Sequence, residues 1–300
     1  MQTSLAYLSG EWISNTDLRL AVDDIGFMLG AAVTERLRTF RGKVFRLDEH
    51  IARLKGSLDI IGAASEKIAA EIAQVIPEFV RRNQALIDPD DDWAIAAFVT
   101  PGVAGSGKPT VCVYGYPLPF QQWATMFDTG VPVVISQHHQ VPTNCWPAEL
   151  KCRSRMHYYL ADLEAAKRRP GARAIVLDQD GYVAESTTAN VVAFREGKGL
   201  VSPPLDHILF GVSLGVVKEL ADELGIPFTM RQLSVDEFLA ADEALLASTS
   251  ICVLPIVECE GKPIGTGRPG PIFQRLLTAW GKLVGLDIAD QARRFANRSA

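Results

Sequence analysis

None of the five cysteines, Cys112, Cys145, Cys152, Cys252 and Cys259, lies at a CxxC spacing or beside histidines at ligand spacing. An odd count without ligand spacing excludes a structural zinc and a disulfide framework, and no metal is expected. Also missing is any apolar run long enough to cross a bilayer, and the opening MQTSLAYLSGEWIS has neither a basic n-region nor an apolar h-region. A cytoplasmic protein without a membrane partner is expected. Clustered cations are absent too: Lys and Arg total 30 against 35 Asp and Glu, a formal net charge of -5. Phosphate backbones require the basic footprint this chain lacks, which removes nucleic acid and points to a small-molecule partner. There is no internal repeat and no low-complexity tract. What is present is 300 residues at 48 % hydrophobic and 22 % charged content, enough for two ordinary domains with their own cores.

The first half reads as an α+β unit. Residues 5–13 and 32–46 form short half-alternating runs bounded by Gly10 and by Arg41-Gly42, which predicts strands and a hairpin. Alternation from Val33 to Phe40 places Thr34, Arg36 and Arg38 on one face and Glu35, Leu37 and Thr39 on the other. Two guanidinium groups on one face suit a substrate carboxylate or, equally, cross-strand ion pairs. Asp48 stands at an N-cap position before Ile51, Leu54, Leu58 and Ile61, which recur at helical spacing until Gly62, with Arg53 beside the stripe. A second helix is predicted over 65–82. The runs AIAAFVTPG and PTVCVYGYPL are near-continuously apolar and predict buried strands.

Periodicity is lost in YPLPFQQWATMFDTG, where two prolines remove backbone donors. The expected organisation is therefore an N-terminal α+β domain over 1–118, a linker over 119–130 and a C-terminal domain over 131–300. The second half opens with the strand VPVVIS. It then reaches Lys151, a helix closed by Arg168, Arg169 and Pro170-Gly171, and the pattern ARAIVLDQDGYVAES, a strand, an Asp-Gly turn and a return strand ending at Glu185. Gly211-Val212-Ser213 opens a helix whose first N–H groups offer an anion site. Ser248-Thr249-Ser250 interrupts an apolar run, and hydroxyls there require partners. An amine able to act as a nucleophile and a carboxylate able to stay ionised against a ring nitrogen are the two protein groups that pyridoxal phosphate chemistry requires. Lys151 and Glu185 are the candidates.

Taken in order, DDIGFMLG, LDEHIARLKGSL, Lys151, LDQDGYVAESTTANVVAF, ILFGVSLGVVKELADELGI and ADEALLASTS resemble the class IV aminotransferases, the fold-type IV pyridoxal phosphate enzymes. That group includes branched-chain aminotransferases, D-amino acid aminotransferases and aminodeoxychorismate lyase. The resemblance implies two mixed α/β domains and a homodimer. It also implies an exchange of an amino group between an amino acid and a 2-oxo acid, with the pyruvate-releasing lyase as the alternative. Position by position it implies that Lys151 binds the cofactor covalently, Glu185 contacts the pyridine nitrogen and Arg53 grips the phosphate. It further implies that the backbone at Val212 and Ser213 and the hydroxyl of Thr249 complete the phosphate cup. Departures bear on substrate. The tyrosine that branched-chain enzymes carry five residues after the lysine is Met156 here, the strand-end Thr-Arg-Gly of D-amino acid enzymes is Thr100-Pro101-Gly102, and the helix-start arginine is Leu214. Arg36 and Arg38 are then the expected carboxylate clamps, with Ser250 opposite, and Thr34 is the candidate proton donor for a lyase.

Overall fold

The computed structural model describes residues 3–298, and the chain divides into two compact units. One comprises the residues up to Leu118 together with Glu149–Ser154; the other comprises Pro119–Ala148 and the chain from Arg155 onward. Lys151 thus belongs to the first unit, although 30 residues of the second precede it.

In the first unit the strands β1 (Leu5–Leu8), β2 (Glu11–Ser14), β3 (Val33–Phe40), β4 (Lys43–Val44), β5 (Trp93–Thr100) and β6 (Thr110–Pro117) form an antiparallel sheet of order β2-β1-β6-β5-β3-β4. A short turn of helix, α1 (Ile25–Met28), is capped by Asp24, whose side chain accepts from the Gly26 N–H. The helices α2 (Leu47–Ile60) and α3 (Ser65–Asn83) cover one face of the sheet, where Leu54, Leu58, Ile72, Ile76 and Phe79 become fully buried against Val33, Leu37 and Ile95. Burial on that scale supplies the apolar contribution, at about 1.5–3 kcal/mol per fully buried aliphatic or Phe side chain. Gly115 is required by this packing, since a Cβ there would lie 2.6 Å from the Phe79 ring. Asp48 is not the N-cap of α2. That position falls to Arg46 in the left-handed region (φ 51°), and Asp48 and Glu49 sit in the first turn, where their charge complements the helix dipole.

The second unit contains α4 (Met126–Thr129), β7 (Val131–Ile135), α5 (Met156–Arg168), β8 (Arg173–Leu177), β9 (Val183–Ser186), β10 (Ala189–Arg195), β11 (Gly199–Ser202), α6 (Val212–Glu223), β12 (Phe228–Met230), α7 (Val235–Leu239), β13 (Glu243–Ser248), β14 (Cys252–Cys259), β15 (Lys262–Pro263), α8 (Pro271–Val284) and α9 (Ile288–Phe295). Its sheet runs β12-β11-β10-β13-β14-β7-β8-β9, and β9 also pairs with β10, so six strands close into a ring. The helix α6 lies against β13, and α8 against β14. Residues 119–130, read from the sequence as a linker, carry a 3-10 turn and α4, and bury Phe120, Trp123 and Phe127. Phe120 stacks on Phe295 of α9 at 6.4 Å, which gives this proline-bounded stretch an apolar reason to fold with the second unit.

Candidate active site

Lys151 is fixed through its backbone rather than by a helix start. Its N–H donates to the Ser57 hydroxyl of α2 at 3.2 Å, and its carbonyl accepts from the Thr34 N–H at 2.9 Å. The Arg153 N–H donates to the Ala32 carbonyl, and Cys152 bridges Val33, so residues 151–153 run along the open edge of β3. Ser57 is one turn beyond Arg53 on α2. The first unit therefore brings Lys151 and Arg53 to the same corner.

At that corner Arg53 donates from Nε and Nη2 to the two oxygens of Glu35, at 2.8 and 2.7 Å, and His50 Nδ1 lies 2.8 Å from the same carboxylate. Glu35 is 1 % exposed. Burial alone raises a carboxyl pKa, but the charge and fork of Arg53, joined by His50, hold Glu35 well below the usual carboxylate range. Burial also pushes His50 below the usual histidine range, against the pull of Glu35, and the cations Arg53 and Lys151 add to the effect. His50 thus donates from Nδ1 as a neutral ring, and its Nε2 is buried without a hydrogen-bond partner among the described residues. Neither His50 nor Glu35 stands out in the sequence as a site residue; their pairing across a strand and a helix leaves no local signal.

In the second unit Glu185 is 6 % exposed near the end of β9. It is flanked by Val176 of β8 and Asn190 of β10, and Asn190 lies opposite Ala247 of β13. Its Oε1 accepts from the Tyr158 hydroxyl at 2.7 Å and from the amide of Gln140. The same strand ends support a bed for an anion. Gly211, the N-cap of α6, lies against Asn190; a Cβ there would come within 2.2 Å of Asn190 Oδ1, while Asn190 Nδ2 donates to the Leu209 carbonyl. The start of α6 has no side-chain cap, and Ser213 in its first turn is buried. Uncapped N–H groups at the start of a 12-residue helix favour negative charge. Thr249 and Ser250 lie in the β13–β14 turn, two and three residues after Ala247. Glu185, Val212, Ser213, Thr249 and Ser250 are thus gathered at one end of the second unit's sheet. The residues suit pyridoxal phosphate: an acid for a ring nitrogen, on β9, and a neutral N–H and hydroxyl cup for a phosphate, from the start of α6 and the β13–β14 turn.

The candidate substrate residues fare unequally. Arg38 is 1 % exposed and pairs with the fully buried Asp92 at 3.2 Å, while Thr39 Oγ1 donates to the other Asp92 oxygen at 2.8 Å. Its guanidinium lies 3.8 Å from the centroid of the Phe40 ring. The expected clamp is in a buried ion pair, and the acid it meets, Asp92, carries no periodic signal because it sits in the loop before β5. Arg36 is half-buried; it donates to the Tyr116 hydroxyl at 2.7 Å and lies over that ring. The Thr34 hydroxyl is buried and donates to the Ala97 carbonyl at 2.9 Å, so its proton is committed inside the sheet.

The family model described as amino-transferase class IV matches residues 32–259. A D-alanine aminotransferase of Bacillus licheniformis is 29 % identical over 279 residues, covering 90 % of this chain and 94 % of that protein. A putative branched-chain-amino-acid aminotransferase of Methanocaldococcus jannaschii is 27 % identical, covering 92 % and 97 %. Among solved structures, the branched-chain aminotransferase of Thermoproteus uzoniensis with norvaline superposes at a TM-score of 0.82 and 26 % identity, covering 95 % of this chain and 96 % of that one. The Escherichia coli branched-chain amino acid aminotransferase shares the fold at a TM-score of 0.87 and 23 % identity, covering 94 % and 95 %.

Proposed function

The chain belongs to the class IV aminotransferases, pyridoxal phosphate enzymes of fold-type IV, and from that membership we propose the residues and substrate of its reaction. The reaction moves an amino group from an amino acid to a 2-oxo acid. Lys151 is the amine that binds the cofactor. Glu185 meets the ring nitrogen, and Arg53, the N–H groups at Val212 and Ser213, and the Thr249 hydroxyl hold the phosphate. Bound pyridoxal phosphate supplies a carbonyl carbon for the amino group and a ring that accepts the electron pair released at the donor's α-carbon. Once displaced from the cofactor by the donor's amino group, Lys151 Nζ would take the donor's α-proton as general base and return a proton as general acid. The Nε and Nη2 edge of Arg53 is given to Glu35, so its contact with the phosphate falls to the N–H groups outside that edge.

The observation that carries this reading is the row Glu185, Asn190 and Ala247 across β9, β10 and β13. It sets an ionisable acid and the uncapped start of α6 on neighbouring strand ends. For substrate, we propose an amino acid of the D-alanine or branched-chain class, the donors named for the relatives, with Arg36 and Ser250 against its carboxylate. The lyase alternative asks Thr34 to give up a proton that it donates to Ala97. We further propose a cytoplasmic homodimer; the exposed apolar side chains Phe27 (71 %) and Tyr159 (61 %) support a second copy as a partner.

Borohydride reduction of the holoenzyme and peptide mapping test the assignment, with the label expected on Lys151. A label on another lysine, or full turnover by Lys151→Ala, refutes it. Spectral titration with D-alanine, L-leucine and related donors identifies the substrate.

A further inference from the structure

We propose that Tyr158 and Gln140 are positioning residues for Glu185, a pair of donors on Oε1 that holds the carboxylate ionised and aimed. The inference rests on the reading of Glu185 as the partner of the cofactor's ring nitrogen.

Tyr158 lies in the first turn of α5 and Gln140 in the loop after β7, so two separate elements converge on one oxygen. The orientation of the Gln140 amide is determined by its neighbours. Its Oε1 accepts from the Val141 N–H at 3.2 Å and faces His157 Nε2 at 3.0 Å, while its Nε2 donates to Glu185 and to the Tyr158 oxygen at 2.8 Å. An amide oxygen only accepts, so His157 donates from Nε2. Burial, with the Arg155 charge beside it, lowers His157 to about 4 and leaves the ring neutral near pH 7. Burial and then the Glu185 charge raise Tyr158 well above its ordinary value, so its hydroxyl keeps the proton it donates. The Tyr158 ring has His157 at a centroid separation of 3.9 Å and the Arg155 guanidinium at 4.8 Å, and these contacts help to place its hydroxyl on Glu185.

Donors onto a carboxylate stabilise the anion and lower its proton affinity. A carboxylate that competes poorly for the proton leaves that proton on a ring nitrogen opposite it, and the ring then accepts electrons. Tyr158 stands two residues beyond the position of the tyrosine in branched-chain enzymes, where this chain has the exposed Met156. The structure gives Tyr158 the acid as its partner.

The test uses full-length holoenzyme loaded with ring-15N pyridoxal phosphate and reads the nitrogen resonance alongside kcat and KM. Glu185→Gln should move the resonance to the unprotonated position. Tyr158→Phe and Gln140→Leu should each move it part of the way in the same direction. Each should also lower kcat about tenfold, the factor expected for one charge-assisted hydrogen bond, with donor KM changing by less than about twofold. If Glu185→Gln leaves the resonance in place, the reading of Glu185 fails and the inference with it. If Glu185→Gln moves it while Tyr158→Phe and Gln140→Leu melt lower yet keep the wild-type resonance, the two residues are structural only and the inference alone is overturned. Should Tyr158→Phe fail to fold, Gln140→Leu carries the same two outcomes with Tyr158 in place.

Discussion

Replacing Arg53 by alanine removes one partner of a buried charge pair and strands the other. Glu35 is 1 % exposed and gives both oxygens to the Arg53 fork, so the variant leaves an ionised acid in the first unit with His50 as its remaining partner among the described residues. Breaking a buried pair in this way costs roughly 3–5 kcal/mol. His50 takes up part of the loss by gaining a proton, and Arg53 itself is 14 % exposed, so the lower end, about 3 kcal/mol, is expected. That loss appears in urea unfolding of the apoprotein, where no cofactor contributes. Cofactor affinity should fall separately by about 2–4 kcal/mol, the range for truncating one side of a desolvated charged contact. Adding Glu35→Gln should restore stability, because the orphaned charge is gone, yet leave cofactor affinity low. If Arg53→Ala unfolds at the wild-type urea concentration, or if the double variant is less stable than the single one, the ion-pair reasoning is refuted. Unchanged cofactor affinity would reduce Arg53 to a structural partner of Glu35.

Acidification should destabilise the apoprotein. Glu35, held below its ordinary value, contributes stability that is present above about pH 4.3 and lost as pH falls below it, and His50, also lowered, penalises the fold increasingly below about pH 6.5. Urea midpoints should decline between pH 7 and 4 as the unfolded chain takes up the His50 proton, and should fall further below about pH 4.3 in the wild type but not through this group in Glu35→Gln; a flat profile contradicts this. Gly211→Ala should weaken cofactor binding by about 1 kcal/mol or more, because the new Cβ would displace Asn190 at the start of α6; wild-type affinity in a fluorescence titration excludes that bed. Arg36→Ala should raise donor KM while leaving cofactor affinity alone, whereas Arg38→Ala should lower stability by about 3 kcal/mol through the abandoned Asp92. Equal kinetic behaviour of the two variants argues against the distinction.

Much of the architecture was legible because it is periodic. Helical spacing marks α2 and α3, alternation marks β3, and an Asp-Gly turn between apolar runs marks β8 and β9 with Glu185 at the end. Class IV motifs mark Lys151, Arg53 and the start of α6. What sequence could not supply is pairing between distant elements. Asp92 beneath Arg38, Glu35 against His50 and Arg53, and Gln140 and Tyr158 on Glu185 each join residues 15 to 54 positions apart in the chain, with no shared period to announce them. The linker expectation over 119–130 misjudged prolines, which interrupt hydrogen bonding there while three buried aromatics still hold the segment against the second unit's core.

The strip at residues 149–154 has a consequence for how the chain is made. During synthesis the first 118 residues emerge with all six strands of their unit's sheet and both its covering helices, but the edge at the start of β3 and the Ser57 hydroxyl wait for partners that the ribosome has not yet delivered. The first unit is complete only after residue 154 has appeared, by which time β7 of the second has also emerged. A fragment stopping at Leu118 should therefore expose a bare strand edge and aggregate, and appending residues 149–154 through a flexible tether should quiet it.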